Sequence, residues 1–302
     1  MKLVSYEVGG RTSFGIWRDD GVVDLARRLG GRFRALHELI AAGALDEARA
    51  FARYRPDHAH EGVRLDKPLL GWGKCFCVGV NYPERNAEYR DGSEGPAYPS
   101  LFVRFPESFA GPDRPLLVPP ESRQLDYEGE VALVIGRAGR RIARERWAEH
   151  VLGYTLANEG TIRDWVRHGK FNVTPGKNWP SSGSLGPWIV TADEAPAGPM
   201  RVVTRVNGEV RQDDTTDRMT FPFGRILEYV STFCTLEPGD LILTGTPAGS
   251  GARLEPPRYL APGDEVEVEV EGLGRLRNGV AAEGSLEGVS AKEADGGGHR
   301  SS

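Results

Sequence analysis

The sequence predicts a mostly β protein with some α-helix, in which a small α+β N-terminal domain precedes a larger β-rich domain. Residues 131–135 are apolar on both faces, which is typical of a strand buried on both sides. The segment 264-DEVEVEVEG-272 alternates valine with glutamate, as a strand with one face in the core does. Asn207 and Gly208 form a strong two-residue turn signal between two further strand-like runs.

The first 70 residues carry the pattern of a small α+β domain. Residues 1–20 predict a hairpin, because KLVSYEV and SFGIWR flank a GGR turn. Residues 24–54 are rich in Ala, Leu and Arg and predict helix, and the polar stretch 55–70 predicts a linker. We therefore place a domain boundary near residue 70, with a first domain over 1–70 and a second over 71–281.

The second domain is predicted to consist mainly of strands, beginning with 74-KCFCVGVNY-82. Residues 83–100 are charged and rich in Gly and Pro, and they predict a short helix over 84–90 followed by a loop. Residues 282–302 turn to Gly, Ser and Glu and are predicted to form a disordered tail. The remaining helices are expected over 145–151, 161–168 and 223–234.

Composition excludes several classes of function. The 302 residues carry a net charge of -5 and no stripe of Lys and Arg with interleaved aromatics, so nucleic-acid binding is not expected. No apolar run could span a membrane and the first residues are unlike a signal peptide, so we expect a cytoplasmic protein. Cys75, Cys77 and Cys234 are too few for a disulfide framework, and the first two are interpreted as small buried residues.

Several carboxylates lie where a buried strand begins. In 125-LDYEGEVALVIG-136, Asp126, Glu128 and Glu130 share one face, since side chains alternate along a strand. Such a pattern is usually a solvated face, but this strand continues into a core. Two like charges about 4 Å apart repel by about 4 kcal/mol at an effective dielectric near 20. Carboxylates clustered there therefore keep a proton or hold a hard cation, and Glu159, at the end of the strand-like run 153–157, is a further candidate.

Six motifs follow one another from about residue 75 to 278: DYEGEVALVIG, GYTLANEGTIRD, GKNW, 186-GPWIVTADE-194, 207-NGEVRQ-212 and 240-DLILTGTPAG-249. In this order they resemble the fumarylacetoacetate hydrolase family. The resemblance implies a mixed β-roll or sandwich catalytic domain, usually in a homodimer, that binds Mg²⁺ or Mn²⁺, with Ca²⁺ as a substitute. By motif position the three metal ligands are Glu128, Glu130 and Glu159.

The resemblance also implies roles for further residues around a 2-oxo acid or β-diketo acid substrate. The metal would stabilise an enolate, and Lys177 would supply positive charge or a proton near the developing oxyanion. Gln212 would bind the substrate or an oxyanion, and the 245–249 loop, which lacks the ending of a nucleotide-binding P-loop, would grip a carboxylate. The expected substrate-binding residues are Tyr82, Arg85, Arg163, Gly245 and Thr246.

Two positions depart from the family pattern. The family usually has Asp where this chain has Glu159, so the carboxylate reaches further by roughly one carbon–carbon bond. Many hydrolytic members carry a His and a Glu three residues apart after the NY dipeptide, and here the two positions hold Arg85 and Glu88. His168 is the remote alternative for the absent histidine, although a surface or capping role suits it better.

The expected activity is hydrolysis of a carbon–carbon bond in an acylpyruvate-like or fumarylacetoacetate-like substrate, with Glu88 as the general base. The absence of the lid histidine favours the alternative, an isomerase or decarboxylase of 2-oxo or 2-hydroxy-diene dioates of the hydroxymuconate or oxaloacetate type. Arg85 would then select a second carboxylate. A third possibility is a family member that binds metal and ligand without catalysis.

Overall fold

A computed structural model describes residues 1–87, 96–169 and 172–284. Glu88 and residues 285–302 of the predicted tail lie outside these ranges. The strands are β1 (Lys2–Val8), β2 (Arg11–Arg18), β3 (Gly21–Asp24), β4 (Val63–Asp66), β5 (Cys75–Gly79), β6 (Ser100–Val103), β7 (Phe109–Ala110), β8 (Leu116–Val118), β9 (Leu125–Asp126), β10 (Gly129–Ile135), β11 (Val151–Asn158), β12 (Thr161–Ile162), β13 (Gly183–Thr191), β14 (Arg201–Val206), β15 (Glu209–Thr215), β16 (Leu241–Leu243), β17 (Glu265–Val270) and β18 (Gly274–Ala282).

The α-helices are short except for one. They are α1 (Leu25–Arg28), α2 (Leu36–Ala41), α3 (Leu45–Ala50), α4 (Pro83–Ala87), α5 (Thr174–Lys177) and α6 (Phe223–Phe233). Single 3-10 turns occur at His60–Gly62, Pro106–Ser108, Trp165–Arg167, Thr216–Arg218 and Gly251–Arg253, and a longer 3-10 segment at Arg144–His150. Among the described residues, no helix has the length and apolar character needed to cross a membrane.

The strands form a large sheet, a five-stranded sheet and a two-stranded one. The large sheet runs in the order β3-β2-β1-β13-β11-β10-β16-β5-β6, with β4 beside β1 and β7 beside β13, and the five-stranded sheet runs β15-β14-β17-β18-β8. One apolar cluster packs between these two sheets, with Val131 and Leu133 on one side and Val202 and Val268 on the other. The predicted mostly β fold with some α-helix is confirmed.

Strand β10 is buried on both faces, as the sequence predicts. Val131 and Leu133 point into the cluster between the sheets, whereas Ala132 and Val134 belong to a second cluster on the opposite face. This second cluster also contains apolar residues of α2, among them Leu36. The strand therefore has cover from the five-stranded sheet on one side and from the N-terminal helices on the other.

The N-terminal segment continues the large sheet. Strands β1 and β2 form the predicted hairpin, and β1 also pairs with β13 through Lys2 opposite Val190 and Leu3 opposite Ile189. The expected boundary near residue 70 lies between β4 and β5, so the two predicted domains share one sheet and one apolar cluster.

The structure corrects two helix predictions. Residues 161–168 hold no α-helix: Thr161 and Ile162 form β12, which pairs with Asp126 and Leu125 of β9, and a single 3-10 turn follows. Thr161 and Ile162 are β-branched, and such residues favour a strand. Instead of the α-helix expected over 145–151, the 3-10 segment Arg144–His150 is followed by β11 from Val151, whereas the helix expected over 223–234 is confirmed as α6.

Candidate active site

The three predicted metal-ligand carboxylates lie at one end of the apolar layer between the large sheet and the N-terminal helices. Glu130 shares the face of β10 that carries Ala132 and Val134. Glu128 immediately precedes β10, and Glu159 immediately follows β11. The backbone N–H of Glu159 donates to the carbonyl oxygen of Glu128 at 2.7 Å, so the antiparallel pairing brings the two residues side by side.

The carboxylates open into a cavity of about 480 Å³. Within the described part of the chain, no histidine lines it. His168 is exposed and packs on Trp165, with ring centroids 4.3 Å apart, so it does not replace the absent lid histidine. The predicted site residues on the cavity wall are Arg85, Glu128, Glu130, Glu159, Arg163, Lys177 and Thr246.

Basic side chains hold both oxygens of the Glu128 carboxylate. Oε1 accepts hydrogen bonds from Arg85 Nη2 and Arg163 Nη2, each at 2.7 Å, and Oε2 accepts from Lys177 Nζ at 2.6 Å and Thr161 Oγ1 at 2.9 Å. Burial opposes ionisation, but the charges of Arg163, Lys177 and Arg85 outweigh it and hold the pKa of Glu128 well below its usual range. Glu128 is therefore ionised at neutral pH.

Lys177 joins two of the carboxylates. Its ammonium donates to Glu128, to Glu159 and, at 2.7 Å, to the hydroxyl of Thr161. Burial lowers the pKa of Lys177, but the charges of Glu128 and Glu159 outweigh burial, so the pKa is raised and the side chain is a cation. Burial raises the pKa of Glu159, although Lys177 and Arg104 oppose the rise.

Glu130 has the least support of the three carboxylates. Among the described residues its carboxylate accepts a single hydrogen bond, from the backbone N–H of Gly245 to Oε2 at 2.8 Å. Gly245 has φ +100, and a Cβ at this position would lie 2.6 Å from the Cβ of Asn81, so only glycine fits there. Burial and the nearby charge of Glu159 raise the pKa of Glu130 well above its usual range.

The residues of the cavity suit a hard divalent cation in their chemistry. Across residues 1–87, 96–169 and 172–284, no three acidic, His or Cys side chains form a ready-made metal cluster, and the ammonium of Lys177 lies between Glu128 and Glu159. Yet three buried carboxylates face one cavity, and Glu130 lacks a basic partner there. Oxygen donors of this kind prefer Mg²⁺, Mn²⁺ or Ca²⁺, so the three glutamates would hold the ion once Lys177 moves aside.

Gln212 and Thr246 form a network behind the cavity wall. The amide of Gln212 accepts from the N–H of Gly129 at 2.9 Å and donates to Thr246 Oγ1 and to the carbonyl of Pro247, each at 2.8 Å. The Thr246 hydroxyl donates to the carbonyl of Gly129 at 2.9 Å. Thr246 reaches the cavity, but Gln212 is buried beside β10 and does not line it.

Two other predicted residues also lie off the cavity wall. Tyr82 is fully buried, and within the described residues its hydroxyl has no hydrogen-bond partner. Gly245 acts through its backbone N–H on Glu130. The predicted base Glu88 lies outside the described residues. The structure therefore gathers Arg85, Arg163 and Lys177 around the three glutamates but places Tyr82, Gly245 and Gln212 behind them.

Asp126, the other acid of the opening motif, anchors Arg163. Asp126 Oδ2 accepts from Arg163 Nε at 2.7 Å and from the N–H of Ala252 at 3.0 Å, while Oδ1 accepts from the N–H groups of Tyr127 and Gly251. The carboxylate is fully buried and absent from the cavity wall. Asp126 thus holds the guanidinium of Arg163 in the position from which it donates to Glu128.

Sequence reasoning missed two residues that contact the carboxylates and a third that contacts Arg85. Arg104 donates to Glu159 Oε1 at 2.9 Å, Thr161 donates to Glu128 at 2.9 Å, and Ser250 accepts from Arg85 Nη1 at 2.7 Å. No local pattern in the sequence indicates these contacts, because each of them joins positions that are distant in the chain.

The comparisons with known proteins agree with the motif order. The family model described as fumarylacetoacetate (FAA) hydrolase C-terminal matches residues 74–281. The bovine (Bos taurus) protein named oxaloacetate tautomerase FAHD2A, mitochondrial, is 39% identical over 236 residues, which are 77% of this chain and 74% of that protein.

Solved structures show the same fold. A fumarylacetoacetate hydrolase from psychrophilic Exiguobacterium antarcticum is 37% identical with a TM-score of 0.80, covering 94% of this chain and 100% of the other. A maleylpyruvate hydrolase from Sphingobium sp. SYK-6, solved with manganese(II) and pyruvate, is 25% identical with a TM-score of 0.76, covering 93% and 99%. With the family model matching well over half of its length, this chain belongs to the fumarylacetoacetate hydrolase family.

Proposed function

We propose that this protein is a divalent-metal-dependent enzyme that interconverts the keto and enol forms of a small 2-oxo dicarboxylic acid, with oxaloacetate as the first candidate substrate. The observation that carries the proposal is the buried Arg85 on the cavity wall, at the position where hydrolytic members of the family carry a histidine. An arginine is permanently charged and does not act as a general base. It does bind carboxylates, often with two parallel hydrogen bonds.

The charge of the cavity suits a dicarboxylate. Arg85, Arg163 and Lys177 line the wall beside the three glutamates. With a divalent ion bound, the ionised Glu128, Glu130 and Glu159 would match the charge of these three bases, and the charge of the ion would leave the cavity positive. A doubly charged acid such as oxaloacetate restores the balance. This reasoning agrees with the name of the bovine relative, an oxaloacetate tautomerase.

Tautomerisation needs a stabilised enolate and a positioned proton. A divalent ion held by the three glutamates would supply Lewis-acid stabilisation of the enolate oxygen. Lys177 is buried, protonated and faces the cavity, so its ammonium can give a proton to the substrate and take one back. Burial also excludes water from these charges, which strengthens each electrostatic contact.

Hydrolysis of a carbon–carbon bond remains the second candidate. The solved relative from Exiguobacterium antarcticum is named a fumarylacetoacetate hydrolase, which favours it. Hydrolysis needs a base that activates water, and without the lid histidine that role falls to Glu88. The roles of the individual site residues, the identity of the metal, the homodimer and the two-domain division stay predictions.

The proposal is tested by comparing four substrates in the presence of Mg²⁺, Mn²⁺ or a chelator. Oxaloacetate enol, an acylpyruvate, fumarylpyruvate and a hydroxymuconate-type dioate are each followed by ultraviolet absorbance. We expect chelator-sensitive ketonisation of oxaloacetate enol well above the buffer rate and little cleavage of the acylpyruvate. Pyruvate formed from oxaloacetate, measured with a coupled dehydrogenase, separates decarboxylation from tautomerisation.

Each other outcome points to a different function. Rapid, chelator-sensitive cleavage of the acylpyruvate would replace the tautomerase with the hydrolase. Turnover of the dioate alone would make the protein an isomerase of a longer substrate. If no substrate reacts but Mn²⁺ and oxalate together raise the melting temperature, the protein binds metal and ligand without catalysis.

A further inference from the structure

Arg104 is a buried arginine whose hydrogen bonds converge on the third carboxylate. Its side chain is 0% exposed, and it lies directly after β6. Nη1 donates to Glu159 Oε1 at 2.9 Å and to the carbonyl of Gly160 at 3.0 Å. Neither the motifs nor the charge pattern of the sequence assigns a function to this residue.

The remaining N–H groups of the Arg104 guanidinium are also hydrogen-bonded. Nε donates to Ser108 Oγ at 3.1 Å, and Nη2 donates to the carbonyl of Ser108 at 3.1 Å and to Ser182 Oγ at 2.9 Å. The five N–H groups of an arginine thus have five acceptors, of which Glu159 is the only charged one. The guanidinium also lies over the ring of Phe109, 4.3 Å from its centroid.

The backbone packs closely against the guanidinium of Arg104 and next to it. A Cβ on Gly183 would lie 2.9 Å from Nη1 of Arg104, and a Cβ on Gly160 would lie 1.9 Å from the carbonyl oxygen of Ser182. Gly183 therefore permits the chain to approach the guanidinium closely, and Gly160 permits a close approach to the backbone of Ser182, whose hydroxyl accepts from Arg104. A charged group fixed on all sides holds its partner at a defined point.

That point determines which oxygen of Glu159 faces the cavity. Arg104 takes Oε1, while Oε2 is on the side of Lys177 and the cavity. Glu159 has one methylene more than the aspartate that the family usually has here, and a longer side chain has more rotamers to restrict. A fixed second contact removes that freedom.

We infer that Arg104 is a positioning residue that clamps Oε1 of Glu159, so that the longer side chain presents Oε2 alone to a divalent cation. The inference rests on the metal site of the proposed function. Residues that orient metal ligands commonly change metal affinity about 10- to 100-fold when they are replaced.

The test measures Mn²⁺ affinity of the metal-free, full-length protein from the electron paramagnetic resonance signal of free Mn²⁺. Arg104→Lys keeps the positive charge but loses the planar guanidinium with its five N–H donors. We expect the Mn²⁺ affinity of this variant to fall about 10- to 100-fold. The matched control is Arg205→Lys, which changes an arginine paired with Glu267 and Glu269 on the five-stranded sheet. Its affinity should stay within about twofold of the unmodified protein, because it lies away from the cavity.

A double-mutant cycle with Glu159→Asp separates positioning from general destabilisation. We expect the shorter aspartate to reach only one of Arg104 and the cation, so Arg104→Lys should reduce the Mn²⁺ affinity less than about threefold in that background. An equal cost in both backgrounds, or an Arg104→Lys affinity within about twofold of the unmodified protein, would overturn the inference. If Glu159→Asp binds no Mn²⁺, the Mn²⁺ affinity of Arg104→Lys alone, compared with the unmodified protein, decides the test.

Failure of the inference differs from failure of the proposed function. An unmodified protein that binds no Mn²⁺ removes the metal site, and the positioning role with it. Normal Mn²⁺ binding with an unaffected Arg104→Lys removes only the positioning role. Should Arg104→Lys fail to fold, Ser182→Ala deletes one of the five acceptors, and an affinity loss of about fivefold, the scale of one hydrogen bond, is expected; no loss overturns the inference.

Discussion

Glu159 donates its backbone N–H to the carbonyl oxygen of Glu128 at 2.7 Å, one step beyond the last residue pair of β10 and β11. The two carboxylates therefore start from adjacent points of the main chain, and their separation is set by sheet geometry. This explains how carboxylates can cluster at the edge of a core. Lys177, Arg85, Arg163 and Arg104 supply positive charge to two of them, while Glu130 receives only a backbone N–H in the described part of the chain.

We expect Glu130→Gln to stabilise the metal-free protein and to weaken Mn²⁺ binding. The folded state raises the pKa of Glu130, so the folded chain holds a proton that the unfolded chain has released. The stability that this proton contributes is present below the unfolded pKa and is lost as pH rises through the folded pKa. The gain from Glu130→Gln in melting temperature should therefore be larger at pH 8 than at pH 5.

The control for Glu130→Gln is Glu121→Gln, which changes an exposed glutamate. Its melting temperature should follow that of the unmodified protein at both pH values. If Glu130→Gln is less stable than the unmodified protein at pH 8 in chelator, the ionised carboxylate of Glu130 does not destabilise the metal-free fold, and the prediction is wrong.

Lys177→Met should separate metal binding from turnover. The ammonium lies between Glu128 and Glu159, where it competes electrostatically with a divalent cation. Its removal should leave Mn²⁺ affinity equal or higher, but lower kcat by about 10²- to 10⁴-fold, the usual contribution of a positioned proton donor. Titration calorimetry with Mn²⁺ and steady-state kinetics on oxaloacetate measure the two effects.

Lys67→Met provides the matched control for Lys177→Met. Lys67 is a half-buried lysine that donates to the carbonyls of Pro106 and Phe109, and it does not line the cavity. Its kcat should be unchanged. Weaker Mn²⁺ binding by Lys177→Met would instead mean that the lysine supports the metal site.

The strands and the carboxylate cluster were predictable from local patterns. The alternation around Glu128 and Glu130 and the two apolar faces of β10 depend on a period of two residues, which sequence shows directly. Glu159 was predictable as a site residue because the polar pair Asn158 and Glu159 directly follows a strand-like apolar run. These features are encoded within a few neighbouring residues.

The contacts between residues that are distant in the sequence could not be predicted from local patterns. Arg104 meets Glu159 across 55 positions and Ser250 meets Arg85 across 165, and a contact between distant positions has no local period. The helix expected at Thr161 was wrong because the backbone of Thr161 and Ile162 pairs with β9, a contact between distant positions that the local sequence does not show. Gln212 was expected at the substrate, yet its amide is occupied by Gly129, Thr246 and Pro247.

Gln212→Leu should lower the free energy of unfolding but leave kcat nearly unchanged. The variant leaves the buried N–H of Gly129 without its acceptor, which costs about 1–3 kcal/mol. Chemical denaturation measures this loss, and Gln124→Leu, which changes the chain's other glutamine, is the control. A variant with unchanged stability and a large loss of kcat would restore Gln212 to the catalytic role that the family resemblance implies.

Arg85→His tests the substrate and the reaction at one position. The variant loses a permanent cation that contacts Glu128 and Ser250. We expect KM for oxaloacetate to rise about tenfold or more, since a charge-assisted contact to a carboxylate is removed. We also expect chelator-sensitive cleavage of an acylpyruvate to appear, because the imidazole can act as the base that hydrolysis needs. Arg218→His, an exposed arginine paired with Glu84, should change neither activity. An Arg85→His variant with unaltered oxaloacetate kinetics would show that Arg85 does not recognise the second carboxylate.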